Sequence, residues 1–417
     1  MQRQQGTRHR GRREGGGRGE QKVEKSARED KGQRTGVIAG CCNKLFYISA
    51  IAGLSLVVFL TLKSSPVDPE AFRLPPPRPW SGPLAVNTDL QKGRRIAEGK
   101  VIGPESMAIK DGRIYTGTVD GNVVEISNDE DVRVIARLGG SACAANVGDE
   151  KTCGRPLGTR FVEDKLHVID AFLGLYQVDQ TGVKQPVQLL STQKVHGGHT
   201  MKFANDFERL ANGTFLLSDT SYKWRMTEYG LMALENKASG RLLWYNPDDK
   251  ESGVVYEGLY SPNGIQLSPN EDFLLIAESI RYRVMKYHLT GPRKGAAEVF
   301  VDNLPGMPDN ISPSSSGGYW IAFALANSRM LPMKMDLLAP LPWLRKMVAK
   351  LVDPTPLVPY LPQYGLIVEV DQMGRIVRSL HDPSGKVVQA VSEVLDTGDI
   401  LYLGSYFSPF IVKLNVK

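Results

Sequence analysis

One pattern recurs six times between about residue 103 and the C-terminus, and it restricts the possible folds more than any other feature of the chain. Each copy is an apolar run, a turn, a second apolar run, and a third run opening near Gly or Arg. The second runs are RIYTGTV from Arg113, KLHVIDA from Lys165, TFLLSDT from Thr214, FLLIAES from Phe273, YWIAFAL from Tyr319 and ILYLGSY from Ile400. The turns before them hold Asp111-Gly112, Glu163-Asp164, Asn212-Gly213, Asn270-Glu271-Asp272, Gly317-Gly318 and Gly398-Asp399. Runs that alternate, or are β-branched and aromatic, read as strands, and such turns read as hairpins. The turns follow one another at 52, 49, 59, 46 and 81 residues, one four-stranded blade each, with an insertion in the fifth. An all-β, six-bladed β-propeller over residues 85–417 is therefore predicted. A pair of β-sandwiches is the rival, but it gives no reason for six copies of one three-run order.

Charge separates this body from what precedes it. Residues 1–44 carry twelve Lys or Arg against five Asp or Glu, leaving 39 basic and 40 acidic residues for the rest of a chain whose net charge is +6. A nearly neutral body offers no basic groove, so nucleic acid is not an expected partner. The tail has almost no apolar residue before Val37 and is expected to be a disordered cytosolic segment. Residues 45–62, LFYISAIAGLSLVVFLTL, hold eighteen residues without a charge between Lys44 and Lys63. As a helix they span about 27 Å, enough to cross a bilayer and meet membrane lipid. The basic N-terminal flank places the tail in the cytosol. The expectation is a single-pass type II protein of the plasma membrane or an endomembrane, its body extracellular or lumenal. Residues 63–84 are proline-rich, with seven prolines between 64 and 83, which predicts an extended stalk holding the body off the bilayer.

In an oxidising compartment Cys143 and Cys153, the two cysteines of the body, form one disulfide in the simplest reading. Cys41 and Cys42, at the membrane edge, suit palmitoylation or a plain pair of free thiols. Two glycosylation patterns occur, at Asn212 and Asn310, and only Asn212 in its exposed turn is expected to be used. The fifth-blade insertion, 330–363, surrounds WLRKMVAKLV. There Trp343, Leu344, Met347, Val348 and Leu351 form one helical face, and Arg345, Lys346 and Lys350 the other. Such a helix could lid the channel, rest on a membrane, or pack on the propeller rim.

Inner strands of a propeller run along its central channel, so polar residues entering them converge. Here the first strands open with Gly-Pro-Glu105-Ser106, Ala-Asn205-Asp206, Pro-Asn263-Gly and Pro-Asp309-Asn310. Carboxylates and amides without sulfur or imidazole suit Ca²⁺ rather than Zn²⁺ or copper. Taken singly, each Asn or Asp is a turn or strand-end cap; the shared register in four repeats raises the metal reading above that. His196-Gly-Gly-His199 is read as a loop pair. No GxSxG, HExxH or GxxxxGK occurs.

GPES, ARLG followed by CGRPLG, ANDF, SPNGIQLSP, GMPDNISPSSSGGYW and SLHDPSG resemble the strictosidine synthase-like family over nearly the whole chain after the tail. The resemblance implies a six-bladed propeller on a type II anchor, related to paraoxonases and gluconolactonase-type propellers. It implies one channel Ca²⁺ held by Glu105, Asn205, Asn263, Asp309 and Asn310, acting as a Lewis acid on a small ester or lactone substrate in an arylesterase-like hydrolysis. No catalytic residue is assigned beyond Asp309 as a candidate, and no protein partner is named. The alternative is a binding or adhesion ectodomain that keeps the propeller and a structural ion. Three departures bear on the choice. Leu157 stands where the paraoxonase resemblance calls for His. The strictosidine synthase glutamate falls on Ser392, with Glu393 expected on the other face, so that condensation reaction is not expected. A second, structural calcium would rely on an Asp at the position of Ser106.

Overall fold

Asp111 and Gly112 adopt φ of 50° and 72°, and Glu163 and Asp164 φ of 48° and 64°, the left-handed pairs that two-residue hairpins require. Turns like these fold the chain, seen in a computed structural model, into six four-stranded antiparallel sheets among the described residues. The structure describes residues 44, 46–55, 58, 62–139, 143, 150–326, 335–356 and 363–416. The innermost strands of blades one to six are Met107–Lys110, Pro156–Val162, Phe203–Arg209, Pro262–Leu267, Gly306–Pro313 and Val391–Asp396. They touch in ring order, the sixth returning to the first. The predicted propeller is thus observed, and all six second and third runs are strands.

Arg94–Ile96, which sequence reading left without an element, is the outermost strand of the sixth blade. It pairs antiparallel with Ile411–Asn415, Arg95 opposite Val412 and Ile96 opposite Ile411. The ring is therefore latched by strands from both ends of the body. Sheets packed against a neighbour on each face explain why Phe215–Ser221 is buried along its whole length instead of alternating. The apolar core is accordingly divided into wedges between blades. One wedge joins Leu275 and Ala277 of blade four to Ile321, Phe323 and Val368 of blade five.

Two units divide the chain, 1–64 and 65–417. In the first, residues 46–55 are helical. Among the described residues no helix is long and apolar enough to cross a membrane, and the expected span 45–62 lies partly outside them. Cys41, Cys42 and the tail before residue 44 lie outside them altogether.

The proline-rich segment expected as an extended stalk makes contacts with the body from residue 65 on. Asp68 donates its main-chain nitrogen to Glu235 at 2.8 Å, Phe72 to the Ala339 carbonyl at 3.1 Å, and Asn303 reaches the Pro76 carbonyl at 2.7 Å. Its prolines keep it extended, and its main-chain groups find partners on the propeller. Val67 joins Trp224, Met232, Leu234 and Ala349 in an apolar cap that reaches Leu157 and Phe203 of the inner strands.

The insertion corrects another expectation. Pro342–Leu351 is a helix, but Arg345 is its most buried residue, at 0% exposure, while Trp343 is 63% exposed. The guanidinium donates to the carbonyls of Leu234 (3.0 Å), Glu235 (3.2 Å), Ala339 (3.2 Å) and Glu70. Main-chain carbonyls at the end of the short helix Tyr229–Glu235, together with the strap at Glu70, thus recruit Arg345 of the charged face inward. Cys143 and Cys153 are joined in a disulfide, their Cα atoms 5.5 Å apart.

Candidate functional site

Every inner strand from the second blade to the sixth slips register against its neighbour at the same height. The slips fall between Pro156 and Thr159, Ala204 and Phe207, Pro262 and Ile265, Pro308 and Ile311, and Val391 and Glu393. An extra residue at such a bulge re-aims side chains that a regular strand would send to opposite faces. Asn205-Asp206, Asn263-Gly264 and Asp309-Asn310 lie inside these slips, and Glu105 just precedes the inner strand of blade one. All five predicted ligands occupy this level of the fold, from blades one, three, four and five.

Their contacts tie them together. Asn310 Nδ2 donates to Glu105 Oε1 at 2.9 Å across the ring. Asn263 hydrogen-bonds the Asp309 carboxyl, and Ser392 Oγ donates to the Glu105 carbonyl at 2.5 Å. What remains is a set of buried oxygens without a donor: Glu105 Oε2, Asn205 Oδ1, Asn263 Oδ1 and Asn310 Oδ1. Burial of an acceptor without a partner is costly, and four such oxygens gather at the inner strands of four blades. A Cβ at Gly264 would come within 2.6 Å of Asn310 Oδ1, so the small residue leaves that oxygen its place. Among the described residues no three His, Cys, Asp or Glu group as a metal cluster. The five predicted residues hold two carboxylates and three amides, a set that suits the calcium implied by the resemblance.

Electrostatics point the same way. Burial, and after it the charge of Asp309, holds Glu105 well above the usual carboxylate range, with Arg155 opposing. Burial, only partly offset by the hydrogen bond from Asn263, pushes Asp309 up to about 8. Five carboxyls, Glu105, Asp206, Glu208, Asp309 and Glu393, crowd this region against Arg155 and Arg160. Such an excess of negative charge is relieved by a bound cation or by protons. At the same site Tyr229 lies with its hydroxyl 3.6 Å from Met307 Sδ, and the charge of Asp309 adds to burial in raising both Tyr229 and Tyr406.

Glu393 is a correction. The bulge beside it turns both Ser392 and Glu393 inward, and Glu393 accepts from Ser106 Oγ at 3.1 Å, from its neighbour Val394 at 2.9 Å and from Ser312. Sequence reading also passed over Arg160, Arg155 and Tyr229; none lies in a repeated motif, so nothing local set them apart. His196 and His199 pair through main-chain hydrogen bonds of 2.8 and 3.0 Å around Gly197-Gly198, the loop pair expected. Asn212 is exposed in its turn, whereas Asn310 is buried.

Models of two families match this chain: strictosidine synthase at residues 207–292, and strictosidine synthase-like, N-terminal, at residues 82–126. Curated relatives named adipocyte plasma membrane-associated protein include one from Rattus norvegicus, 40% identical over 87% of this chain and 96% of its own. The Homo sapiens protein is 39% identical over 86% of both. Among solved structures, a gluconolactonase of Xanthomonas campestris superposes with a TM-score of 0.52 at 14% identity, covering 85% of this chain and 97% of that one. A luciferin-regenerating enzyme gives 0.50 at 12% identity, covering 78% and 94%. At these identities the structural likeness establishes the fold alone.

Proposed function

The chain belongs to the adipocyte plasma membrane-associated protein family of strictosidine synthase-like propellers, and on that premise we propose that its body is a calcium-dependent hydrolase of small esters or lactones. The observation that carries this reading is the ring of donorless oxygens on Glu105, Asn205, Asn263 and Asn310. These residues and Asp309 would hold the ion. Bound there, calcium would supply a Lewis acid for the carbonyl of an ester or lactone. The chain's own part is preorganisation. Asn310 and Asn263 orient the carboxyls of Glu105 and Asp309, and five strand bulges fix the ring. Gluconolactonase and luciferin-regenerating enzyme among the structural relatives agree with such a use of the fold.

A test uses the purified full-length chain with a phenyl ester and a δ-lactone as probes. Chelation, and Asp309→Ala, should each lower the rate by about 100-fold or more, with calcium restoring only the chelated wild type. Unchanged rates would sink the proposal. Calcium binding without turnover would instead favour a binding ectodomain, a reading supported by Leu157, which places an alkyl side chain where the paraoxonase resemblance calls for an imidazole.

We propose further that residues 45–62 anchor the chain as a type II membrane protein, consistent with relatives named as plasma membrane-associated. On that topology Asn212 carries a glycan. Endoglycosidase should shift the wild type and leave Asn212→Gln unmoved; a wild type that does not shift speaks against a lumenal body.

A further inference from the structure

Beside the axial ring lies a second group of carboxylates whose oxygens are, with one exception, supplied with donors. Asp206 and Glu208 come from blade three and Glu393 from blade six, all largely buried. Three such charges, poor in water, repel one another unless a cation joins them. Arg160, on the inner strand of blade two, reaches in. Its Nη2 donates to Asp206 Oδ2 at 2.8 Å and to the Ile265 carbonyl at 3.0 Å, and its Nε to Glu208 Oε1 at 3.3 Å. Its charge also acts on Glu393. Ile265 closes the arrangement by donating its main-chain nitrogen to Asp206 Oδ2 at 2.9 Å.

Two carboxylates and a main-chain carbonyl from neighbouring blades are the surroundings a hard divalent ion takes. Here a guanidinium fills them. Ser106, where a second calcium would need an Asp, is uncharged and spends its hydroxyl on Glu393. The residues therefore do not fit a second ion.

We infer that Arg160 is a built-in cation, a side chain standing where a second divalent ion would otherwise join blades two, three and four. It is a positioning residue. By fixing Asp206 it fixes the bulge that presents Asn205 to the axis, without touching the axial ring itself. The inference stands on the carboxylate geometry and does not depend on the axial ion.

Metal analysis and thermal melting of the detergent-purified full-length chain test it, with calcium chloride as the only added divalent ion. The wild type should bind no more than one equivalent. Arg160→Met should melt lower by about 5 °C or more, and the gap to wild type should narrow as calcium rises, with one extra equivalent bound. Should Arg160→Met not accumulate, Arg160→Gln, which keeps donors but loses the charge, should show the same calcium-dependent narrowing. Two equivalents on the wild type would overturn the inference, as would a neutral variant whose gap to wild type ignores calcium. A wild type binding none would sink the axial reading, while calcium-dependent recovery of the variant would still support this one.

Discussion

Asp170, at the end of the second-blade strand Lys165–Asp170, shows how burial rather than pairing sets a side chain's state. Its Oδ1 accepts from the main-chain nitrogens of Phe172 and Leu173 at 2.9 and 3.0 Å, and the main-chain nitrogen and charge of Arg155 also favour its ionised form. Burial is the leading cause that pushes this carboxyl from 3.8 up to about 7. A carboxyl raised in the folded state contributes stability that is whole below its unfolded value and is lost as pH rises through its folded one. Asp170→Asn abolishes the titration and keeps the shape. Thermal melting between pH 3.8 and about 7 should therefore find the variant gaining on wild type as pH rises, with the gain level above that window. A variant that instead falls behind wild type as pH rises would show that the fold prefers Asp170 ionised.

At the scale of elements, the helix Pro342–Leu351 is fixed by Arg345 beside the apolar contacts of Ala349 and Val348. Burial, with Arg281 nearby, lowers the Arg345 guanidinium to about 10, yet its donors meet carbonyls from three segments. Truncation would remove the guanidinium donors from the Leu234, Glu235 and Glu70 carbonyls, at about 1–3 kcal/mol for each that water cannot reach, while the Ala339 carbonyl would keep its bond from Phe72. Arg345→Ala should therefore speed limited proteolysis within residues 330–363 by about tenfold or more, as local opening becomes easier. Trp343→Ser, at an exposed position, should change stability by no more than about 0.5 kcal/mol. Equal proteolysis of both variants would mean that the helix is held by something other than Arg345.

For the whole molecule, stability depends on closing the ring. Ile96 is fully buried beside Met107, Ile114, Tyr402 and Ile411, in the wedge where the sixth blade meets the first. Its strand is the outermost of a blade otherwise made by the C-terminus. Ile96→Ala should lower the unfolding free energy by about 2–5 kcal/mol in denaturant titration, although only three residues pair there. A loss below about 0.5 kcal/mol would mean that blade six closes without its N-terminal strand.

The sequence alone determined the six blades, because strand period and turn chemistry are local properties repeated six times. It also set Asn205, Asn263 and Asp309 apart, since they recur at one position of the repeat, which the structure places inside the register slips of three inner strands. It could not show that Glu393 turns inward, because a bulge shifts side chains by one residue without leaving a mark in composition. Arg160 carries no mark in the sequence, and Arg345 only its place on one helical face; distant carboxylates and carbonyls give them their roles. Those roles belong to the tertiary structure: a buried charge is decided by what the rest of the chain places within hydrogen-bond reach, and those partners lie tens to hundreds of residues away in sequence.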